Sequence, residues 1–310
     1  FTINKYLVKW KSLPYDQSTW EKEEDITEKN FIEDYQRRRL HWNSTIYDKK
    51  SKEERKEKTK NFENEETDKN ISTSTSFVKI TEPFSDKSGN VLRPYQLEGL
   101  NWLRFCWQNG NNSILADEMG LGKTVQVVSV LNDIATNHNI TGPFIVLAPL
   151  TTLPQWKTEF ERWSNLNAII YQGSPATREI IEEYEFPAHN EQGEVIKNAV
   201  SFDVLITNYE SFASNFDKLN EIEWRYLVLD EGHRLKNHEG KCYRLLLKLT
   251  FEHCTLLTGT PIQNNVEELW SLLHLLHPHR FNDLPQFLEQ FGNIDNIETL
   301  RKLQNLIRPY

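Results

Sequence analysis

From Leu92 onward, short apolar runs alternate with helical patterns, and this alternation constrains the fold more than any other feature. Helical spacing predicts helices over 96–108, 123–134, 153–163, 177–184 and 266–276. The apolar runs predict strands over 113–116, 144–147, 168–171, 204–207, 226–229 and 254–257. Strands that alternate with helices are typical of βαβ units, so the predicted fold class is α/β, a parallel sheet with helices on both faces. Ligands of such sheets bind at the carboxyl ends of the strands.

Charge is distributed unevenly along the chain. The 310 residues carry a formal charge of −9. Residues 1–90 hold 18 basic and 18 acidic side chains, whereas residues 91–310 hold 18 and 27. An acidic domain attracts nucleic acid poorly at long range, so any contact with DNA must come from a local basic strip.

A highly charged segment interrupts the globular pattern. Between residues 48 and 70, sixteen of 23 residues are charged, eight of each sign, and Phe62 is the only hydrophobic residue. Such a segment has too little apolar surface to form a core. The sequence therefore predicts a charged linker, which we place at 47–82.

The segment 114–124, ILADEMGLGKT, has the form of a strand, a glycine-bearing loop and a helix start. Gly120 and Gly122 permit backbone angles that turn amide groups toward a phosphate. Lys123 supplies a positive charge for the β and γ phosphates, and the Thr124 hydroxyl is placed to bind Mg²⁺. This pattern predicts a nucleotide site.

Two features decide how far that prediction holds. The strict phosphate-loop pattern asks for glycine where this chain has Asp117, so a simple strand-to-helix turn is the alternative. The apolar run 226–229, however, ends in the adjacent acids Asp230 and Glu231. In a nucleotide hydrolase, Asp230 would hold Mg²⁺ through water, and Glu231 would orient and deprotonate the attacking water. The acids alone fit a solvated turn, but together with the loop they favour a hydrolase.

At this point the chain resembles a known family, the SWI/SNF-type ATPases of helicase superfamily two. The resemblance covers about 84–310 and rests on motifs that appear in the family's order: 92–102, 117–124, 147–153 with Trp156, 206–210, 226–231 and 256–265. It implies a RecA-like first lobe of a two-lobe motor, with ATP and Mg²⁺ as cofactors. The resemblance implies these nucleotide-binding residues: Gln96 on the adenine, then Gly120, Gly122, Lys123, Thr124 and Asp230. Lys123, Asp230 and Glu231 are the implied catalytic residues, with Thr124 and Asp230 toward the metal.

The acidic motif departs from the family at one position. The family usually reads Asp-Glu-Ala-His, whereas this chain has Gly232 between Glu231 and His233. A glycine there loosens the backbone that aims the two acids. We expect activity to survive, with slower turnover as the alternative.

The amino-terminal segment resembles the latter part of a chromodomain, the second of a tandem pair. The residues that carry this resemblance are 6–15, YLVKWKSLPY, then 18–21, STWE, and a helix to about Arg39. The overall match is to the chromodomain-helicase-DNA-binding family, and within it to the Kismet-like subfamily. The segment 171–174, with Arg178 and 184–186, also resembles that subfamily.

Trp10 occupies one position of a methyl-lysine cage by resemblance. A cage needs two or three aromatic rings around the cation, and Leu13 stands where another is expected. Capture of a histone tail by Trp10 is therefore the alternative, and a structural or autoregulatory module near the motor is favoured. Trp20 is predicted to lie in the core.

Other residues of interest have simpler explanations. His274, His277 and His279 have a spacing that suits a metal, but they are expected to be surface histidines. The arginines at 37–39 are expected to form a solvated helix end, with phosphate contact or nuclear import as the alternative. The three cysteines show no CxxC spacing, and no apolar run is long enough to span a membrane.

These observations give a full expectation. The domains are a partial chromodomain of α+β type over 1–46, the linker over 47–82 and the ATPase lobe over 83–310. The expected function, implied by the resemblance, is ATP-dependent chromatin remodelling in the nucleus, with double-stranded DNA and nucleosomes or histones as partners. The chain lacks an initiator methionine and a second ATPase lobe, so it reads as part of something longer. Without the arginine finger of that lobe, we expect the chain alone to be nearly inactive. A catalytically silent chromatin-binding scaffold and a strand-separating helicase are the alternatives.

Overall fold

A computed structural model describes residues 4–45, 78–81, 84–235, 237–259, 266–292 and 297–307. The predicted charged segment 48–70 lies outside these residues. So do positions 260–265 of the last ATPase motif.

A six-stranded parallel sheet forms the centre of the larger domain. Its strands, in chain order, are β4 (Ser113–Leu115), β5 (Phe144–Leu147), β6 (Ala168–Tyr171), β9 (Val204–Thr207), β10 (Tyr226–Leu229) and β11 (Cys254–Leu257). Across the sheet the order is β4-β11-β10-β5-β9-β6. Strands β5, β9, β10 and β11 are buried along their whole length, as expected for parallel strands covered on both faces.

Helices cover both faces of this sheet, which confirms the predicted fold class. One face packs against α2 (Pro94–Gln108), α3 (Lys123–His138) and α4 (Leu153–Trp163). The other packs against α5 (Pro175–Tyr184), α6 (Tyr209–Ser214), α8 (Lys241–Leu246) and α9 (Val266–Leu276), with α7 (Phe216–Leu219) between α6 and β10. Two further helices, α10 (Leu284–Phe291) and α11 (Ile297–Ile307), pack against α9.

Helix α4 shows how the sequence pattern produces this packing. Its buried residues are Leu153, Trp156, Phe160 and Trp163, which recur at the spacing of one helix face. That face lies on the sheet, and the opposite face carries charged residues. The same arrangement brings Trp156 toward the carboxyl edge of the sheet.

The amino-terminal module also has the predicted elements. Strands β1 (Lys5–Val8) and β2 (Thr19–Lys22) pair antiparallel, and helix α1 (Lys29–Arg39) follows. A short strand, β3 (Asn43–Ser44), then joins a hairpin of the larger domain made of β7 (Pro187–His189) and β8 (Val195–Val200). The sequence did not predict these last three strands.

Side chains also hold the amino-terminal module against the larger domain. The Tyr15 hydroxyl donates a hydrogen bond to Glu185 Oε1 at 2.9 Å. Asp203 is buried and accepts from the Asn43 amide at 2.8 Å, and its Oδ1 also lies 2.7 Å from His41 Nε2. The module is therefore packed on the larger domain, and its structural or autoregulatory role stays a prediction.

Trp20 does not lie in the core, so that prediction was wrong. The side chain is 54% exposed and packs edge-on against Tyr184 of α5, with ring centroids 5.8 Å apart. Trp10 is also exposed, and its indole nitrogen donates to the Thr19 hydroxyl at 2.9 Å. Arg38, at the exposed end of α1, donates to Asn167 Oδ1 at 2.9 Å, so this helix end contacts protein as well as solvent.

The three spaced histidines differ in their environments. His279 is exposed as predicted, but His277 is buried at the end of α9, and His274 is half-buried. The expectation of three surface histidines was therefore wrong for His277. Within the described ranges, no group of three or more His, Cys, Asp or Glu residues is placed to hold a metal ion. No helix in those ranges is long and apolar enough to cross a bilayer.

Burial of His277 predicts sensitivity to acid. Burial, with help from the charge of Arg280, lowers the pKa of His277 to about 4, and a backbone hydrogen bond with Asn112 opposes this shift only in part. In the unfolded chain His277 is protonated below about pH 6.5, whereas in the folded chain it is protonated only below about pH 4. Folding stability therefore falls as the pH drops from 6.5 to 4. Between pH 7 and 5 the loss is about 2 kcal/mol.

This is measured by chemical denaturation of the parent and of His277→Gln at both pH values. We expect the variant to lose about 2 kcal/mol less than the parent on acidification. His279→Gln removes an exposed histidine from the same loop and serves as the matched control. Equal losses in the parent and in His277→Gln would show that another group carries the acid sensitivity.

Candidate nucleotide site

The loop between β4 and α3 has the backbone of a phosphate-binding loop. Gly120 and Gly122 both have φ of 84°, a left-handed conformation that glycine adopts without strain. Lys123 is the first residue of α3 and Thr124 the second. The Lys123 ammonium donates to two carbonyl oxygens of its own loop, Asp117 O at 2.7 Å and Glu118 O at 3.1 Å. The ammonium is therefore bound to the backbone of its own loop.

Gln96 lies against this loop from helix α2. Its Nε2 donates to Leu121 O at 3.0 Å, and its Oε1 accepts from the backbone N–H of Arg93 at 2.9 Å. A Cβ on Gly122 would lie 2.5 Å from Gln96 Nε2, so any other residue there would displace the Gln96 amide. The structure thus places Gln96 beside the loop, with both ends of its amide bonded to backbone.

The two acids stand at the carboxyl end of β10. Asp230 is buried, and Glu231 is partly exposed with φ of 52°, a left-handed conformation that costs a non-glycine residue energy. Strained backbone of this kind concentrates at functional sites. The conformation separates the environments of the two neighbouring carboxylates.

Asp230 accepts three hydrogen bonds, two at its carboxylate and one at its backbone carbonyl. Its Oδ2 accepts from the indole nitrogen of Trp156 at 2.8 Å, and its Oδ1 accepts from the backbone N–H of Glu231 at 2.9 Å. Its carbonyl oxygen accepts from the Tyr209 hydroxyl at 2.6 Å. Burial raises the pKa of Asp230, and the neighbouring Glu231 charge adds to this, while the Trp156 bond opposes it.

The sheet brings loop and acids to the same edge. Strand β4, which leads to Lys123, and β10, which leads to Asp230, are separated only by β11, and all three run parallel. Burial raises the pKa of Asp230, and the positive charge of Lys123 opposes this rise. The loop after β4 and the two acids after β10 therefore both lie at the carboxyl edge of the sheet. Beyond β11, the motif residues at 260–265 lie outside the described part of the chain.

Gly232 has a packing role that the sequence did not suggest. It is buried, and a Cβ at this position would lie 2.4 Å from Cδ2 and 2.7 Å from Cγ of Leu256. Leu256 is itself fully buried in β11. The glycine thus lets the turn after the acids approach β11 closely, and an alanine would require Leu256 to move.

These groups suit a nucleotide with a divalent cation. Asp230 is a desolvated carboxylate whose pKa is raised, and a bound cation would compensate its buried charge. Lys123 and the two left-handed glycines offer a cation and backbone amides to phosphate oxygens. The residues present therefore fit ATP and Mg²⁺.

Two residues of the site were not assigned these roles from the sequence. Trp156 belongs to a recognised motif, but its hydrogen bond to Asp230 joins residues 74 positions apart. Tyr209 lies in another motif, and its contact with the Asp230 carbonyl joins residues 21 apart. Both are buried aromatic residues that carry a hydrogen-bond donor. Since a buried Trp or Tyr usually has a hydrogen-bond partner, their residue type is the signal that could have pointed to a partner such as Asp230.

The fold and site define a phosphate-loop nucleotide-binding domain with paired acids. Two family models match the chain, the SNF2-related domain over residues 95–310 and the Chromo (CHRromatin Organisation MOdifier) domain over residues 2–38. The chain therefore belongs to the SNF2-related family, and within it to the chromodomain-helicase-DNA-binding family. The resemblance stated from the motifs is confirmed.

Relatives and solved structures agree with this assignment. The chain is 42% identical over 304 residues to chromodomain-helicase-DNA-binding protein 8 of Danio rerio, covering 98% of this chain and 11% of the relative. It is 42% identical over 307 residues to human chromodomain-helicase-DNA-binding protein 7, covering 99% of this chain and 10% of the relative. Among solved structures, the Sulfolobus solfataricus SWI2/SNF2 ATPase core in complex with dsDNA matches with a TM-score of 0.63 and 30% identity, over 76% of this chain and 46% of that one. This chain thus spans about a tenth of the length of these curated relatives.

Proposed function

We propose that this chain is the ATP-binding lobe of an ATP-dependent chromatin remodeller. The observation that carries the proposal is that the loop with Lys123 and the acids Asp230 and Glu231 follow parallel strands at the same carboxyl edge of the sheet, with only β11 between them. The predicted domain organisation, 1–46, 47–82 and 83–310, belongs to this proposal. The assignment to the Kismet-like subfamily is also part of this proposal, and the similarity to chromodomain-helicase-DNA-binding proteins 7 and 8 supports it.

In the proposed mechanism, the loop at Gly120 and Gly122 binds the phosphates and Lys123 neutralises the β and γ groups. Thr124 and Asp230 hold the metal, and Gln96 contacts the adenine. Glu231 orients the attacking water and accepts its proton. When bound, Mg²⁺ supplies stabilisation of the negative charge that develops on the phosphates. The partly exposed position of Glu231, beside a buried Asp230, supports this division of roles.

Hydrolysis is proposed to drive movement along double-stranded DNA and sliding of nucleosomes in the nucleus. Closure of a second ATPase lobe over ATP would shift the grip on DNA, and hydrolysis would release that closure. Duplex DNA is the ligand named for the Sulfolobus solfataricus ATPase core, which supports the same partner here. A cavity of about 430 Å³ at the start of α6 and α8 is lined by Arg234 and Lys241, and also by Glu210, which lies 3.6 Å from Arg234. These cations are candidates for the local basic strip that an acidic domain requires.

The second lobe is proposed to supply an arginine finger. Such a residue contributes about 10³–10⁵-fold in rate in related phosphoryl-transfer enzymes. On this proposal, the 310-residue chain alone hydrolyses ATP very slowly. We call this chain together with a second ATPase lobe the two-lobe protein.

The test is ATP turnover by the two-lobe protein alone, with duplex DNA and with nucleosomes. We expect turnover to rise with duplex DNA and further with nucleosomes, and to fall to background in the 310-residue chain. Well-folded two-lobe protein that binds ATP but shows no turnover would favour the scaffold alternative. Separation of a forked duplex would favour the strand-separating helicase.

A further inference from the structure

Asp117 stands where the phosphate-loop pattern has glycine, and its side chain has a specific partner. Asp117 Oδ2 accepts a hydrogen bond from Gln126 Nε2 at 3.0 Å. Gln126 lies on α3, three residues after Lys123, and its side chain is completely buried. The carboxylate in the loop is thus tied to the helix that the loop begins.

Helix α2 fixes the other end of this amide. A Cβ on Gly99 would lie 1.8 Å from Gln126 Oε1, so the amide occupies the space that Gly99 leaves open, and a larger residue there would displace it. Within the described ranges, Oε1 is buried and has no hydrogen-bond partner. A buried acceptor without a hydrogen-bond partner destabilises the folded state. Gln126 therefore keeps its bond to Asp117 at a cost to stability, which is typical of a functional rather than a structural residue.

The surroundings of Asp117 indicate what the bond prevents. Lys123 Nζ lies 2.7 Å from the backbone oxygen of Asp117 itself. A carboxylate on the same residue, if released, would compete with nucleotide phosphates for that ammonium and would repel the phosphates directly. Glycine at this position, as in the strict pattern, carries no such charge.

We propose that Gln126 is a positioning residue that holds the Asp117 carboxylate away from Lys123, and so allows an acid to stand in the phosphate loop. This inference rests on the proposed function. Gly99, which packs against Gln126, lies one turn after Gln96 on helix α2. Helix α2 therefore contacts both the proposed adenine-binding residue Gln96 and the residue that holds Asp117 in the phosphate loop. Neither Gln126 nor Gly99 contacts a nucleotide in this scheme.

The test is a charge exchange in the two-lobe protein. Gln126→Glu places two carboxylates against each other, and we expect KM for ATP to rise about ten- to hundredfold, the equivalent of a hydrogen bond to a charged group, with kcat changed much less. The double variant Asp117→Asn with Gln126→Glu restores a donor and an acceptor in reversed order, and we expect most of the loss in KM to be recovered. Asp117→Asn alone completes the cycle, and Gln192→Glu makes the same change on an exposed turn as the control.

Folding is separated from positioning by Gln126→Met, which keeps the shape of the side chain without its donor. We expect this variant to melt close to the parent and still to raise KM. Parent-like KM in both Gln126→Glu and Gln126→Met, or no recovery in the double variant, would overturn the inference. A parent protein that neither binds nor hydrolyses ATP would instead overturn the proposed function, so the two failures are distinct.

Discussion

Replacing Glu231 with Gln is expected to lower kcat for ATP by about 10²–10⁴-fold, the range that a general base contributes. Gln has the size of Glu and can still orient water, but it cannot accept the proton. Asp230 and Lys123, which are proposed to hold the metal and phosphates, are left in place. Nucleotide affinity should therefore stay close to that of the parent, and the loss should appear in kcat rather than KM.

The measurement is steady-state hydrolysis by the two-lobe protein with nucleosomes, together with binding of a fluorescent ATP analogue. Glu239→Gln removes an exposed acid from the following turn and is the matched control. A Glu231→Gln protein with parental kcat would exclude Glu231 as the base. Equal losses of affinity and rate would assign it to nucleotide binding instead.

Much of the sheet could be predicted because its strands are continuous apolar runs. Strands β5, β9 and β10 begin and end where the sequence indicated, since each is buried on both faces and is bounded by polar or turn residues. Helix α3 runs four residues past its predicted end, to His138, and stops at Asn139 in a left-handed conformation. The local sequence pattern thus predicted which elements form, whereas the exact end of a helix depends on the backbone conformation of the residue that follows it.

The antiparallel hairpin could not be predicted in this way. Strand β8 contains Lys197 and Asn198, and Asn198 has φ of 56°, so the segment lacks the regular alternation of a half-buried strand. Strand β3 has only two residues, and its pairing depends on β8. Both are stabilised by the contact between the two domains, which no local pattern expresses.

The candidate site shows the same division. The phosphate loop and the acids are contiguous motifs, so their chemistry could be inferred from neighbouring residues. The groups that hold them, Trp156 on Asp230 and Gln126 on Asp117, are defined by the packing of helices on the sheet. Trp20 and His277 were misjudged for a related reason, because burial depends on which surface another element covers.

Trp156 offers the largest expected effect on stability. Its side chain is 1% exposed, packs in the core beneath the sheet edge and donates to Asp230 Oδ2. Trp156→Ala is expected to cost about 3–5 kcal/mol, as for other large core aromatics. Trp156→Phe keeps most of the ring but removes the donor from a buried carboxylate, and we expect a cost of about 1–3 kcal/mol.

The pH dependence separates the hydrogen bond from lost packing. The bond to Trp156 favours ionised Asp230, so its removal raises the pKa of Asp230 further. When the pKa of a carboxyl group is raised in the folded state, the folding stability of the protein falls as the pH rises above the group's unfolded pKa of about 3.9. The cost of Trp156→Phe should therefore be larger at pH 7 than near pH 4.

Denaturant unfolding at both pH values measures this cost, in a cycle with Asp230→Ala. We expect Trp156→Phe to cost less once Asp230 is removed, with a coupling energy of about 1–2 kcal/mol, well above the 0.3–0.5 kcal/mol seen for independent sites. Trp163→Phe, on the same helix, buried and stacked on Phe84, controls for the smaller ring. Additive costs at Trp156 and Asp230, or a pH-independent cost, would mean that Trp156 stabilises the fold through packing alone. A coupled cost that grows from pH 4 to pH 7 would mean that Trp156, from the core of α4, stabilises the ionised form of the proposed metal-binding acid.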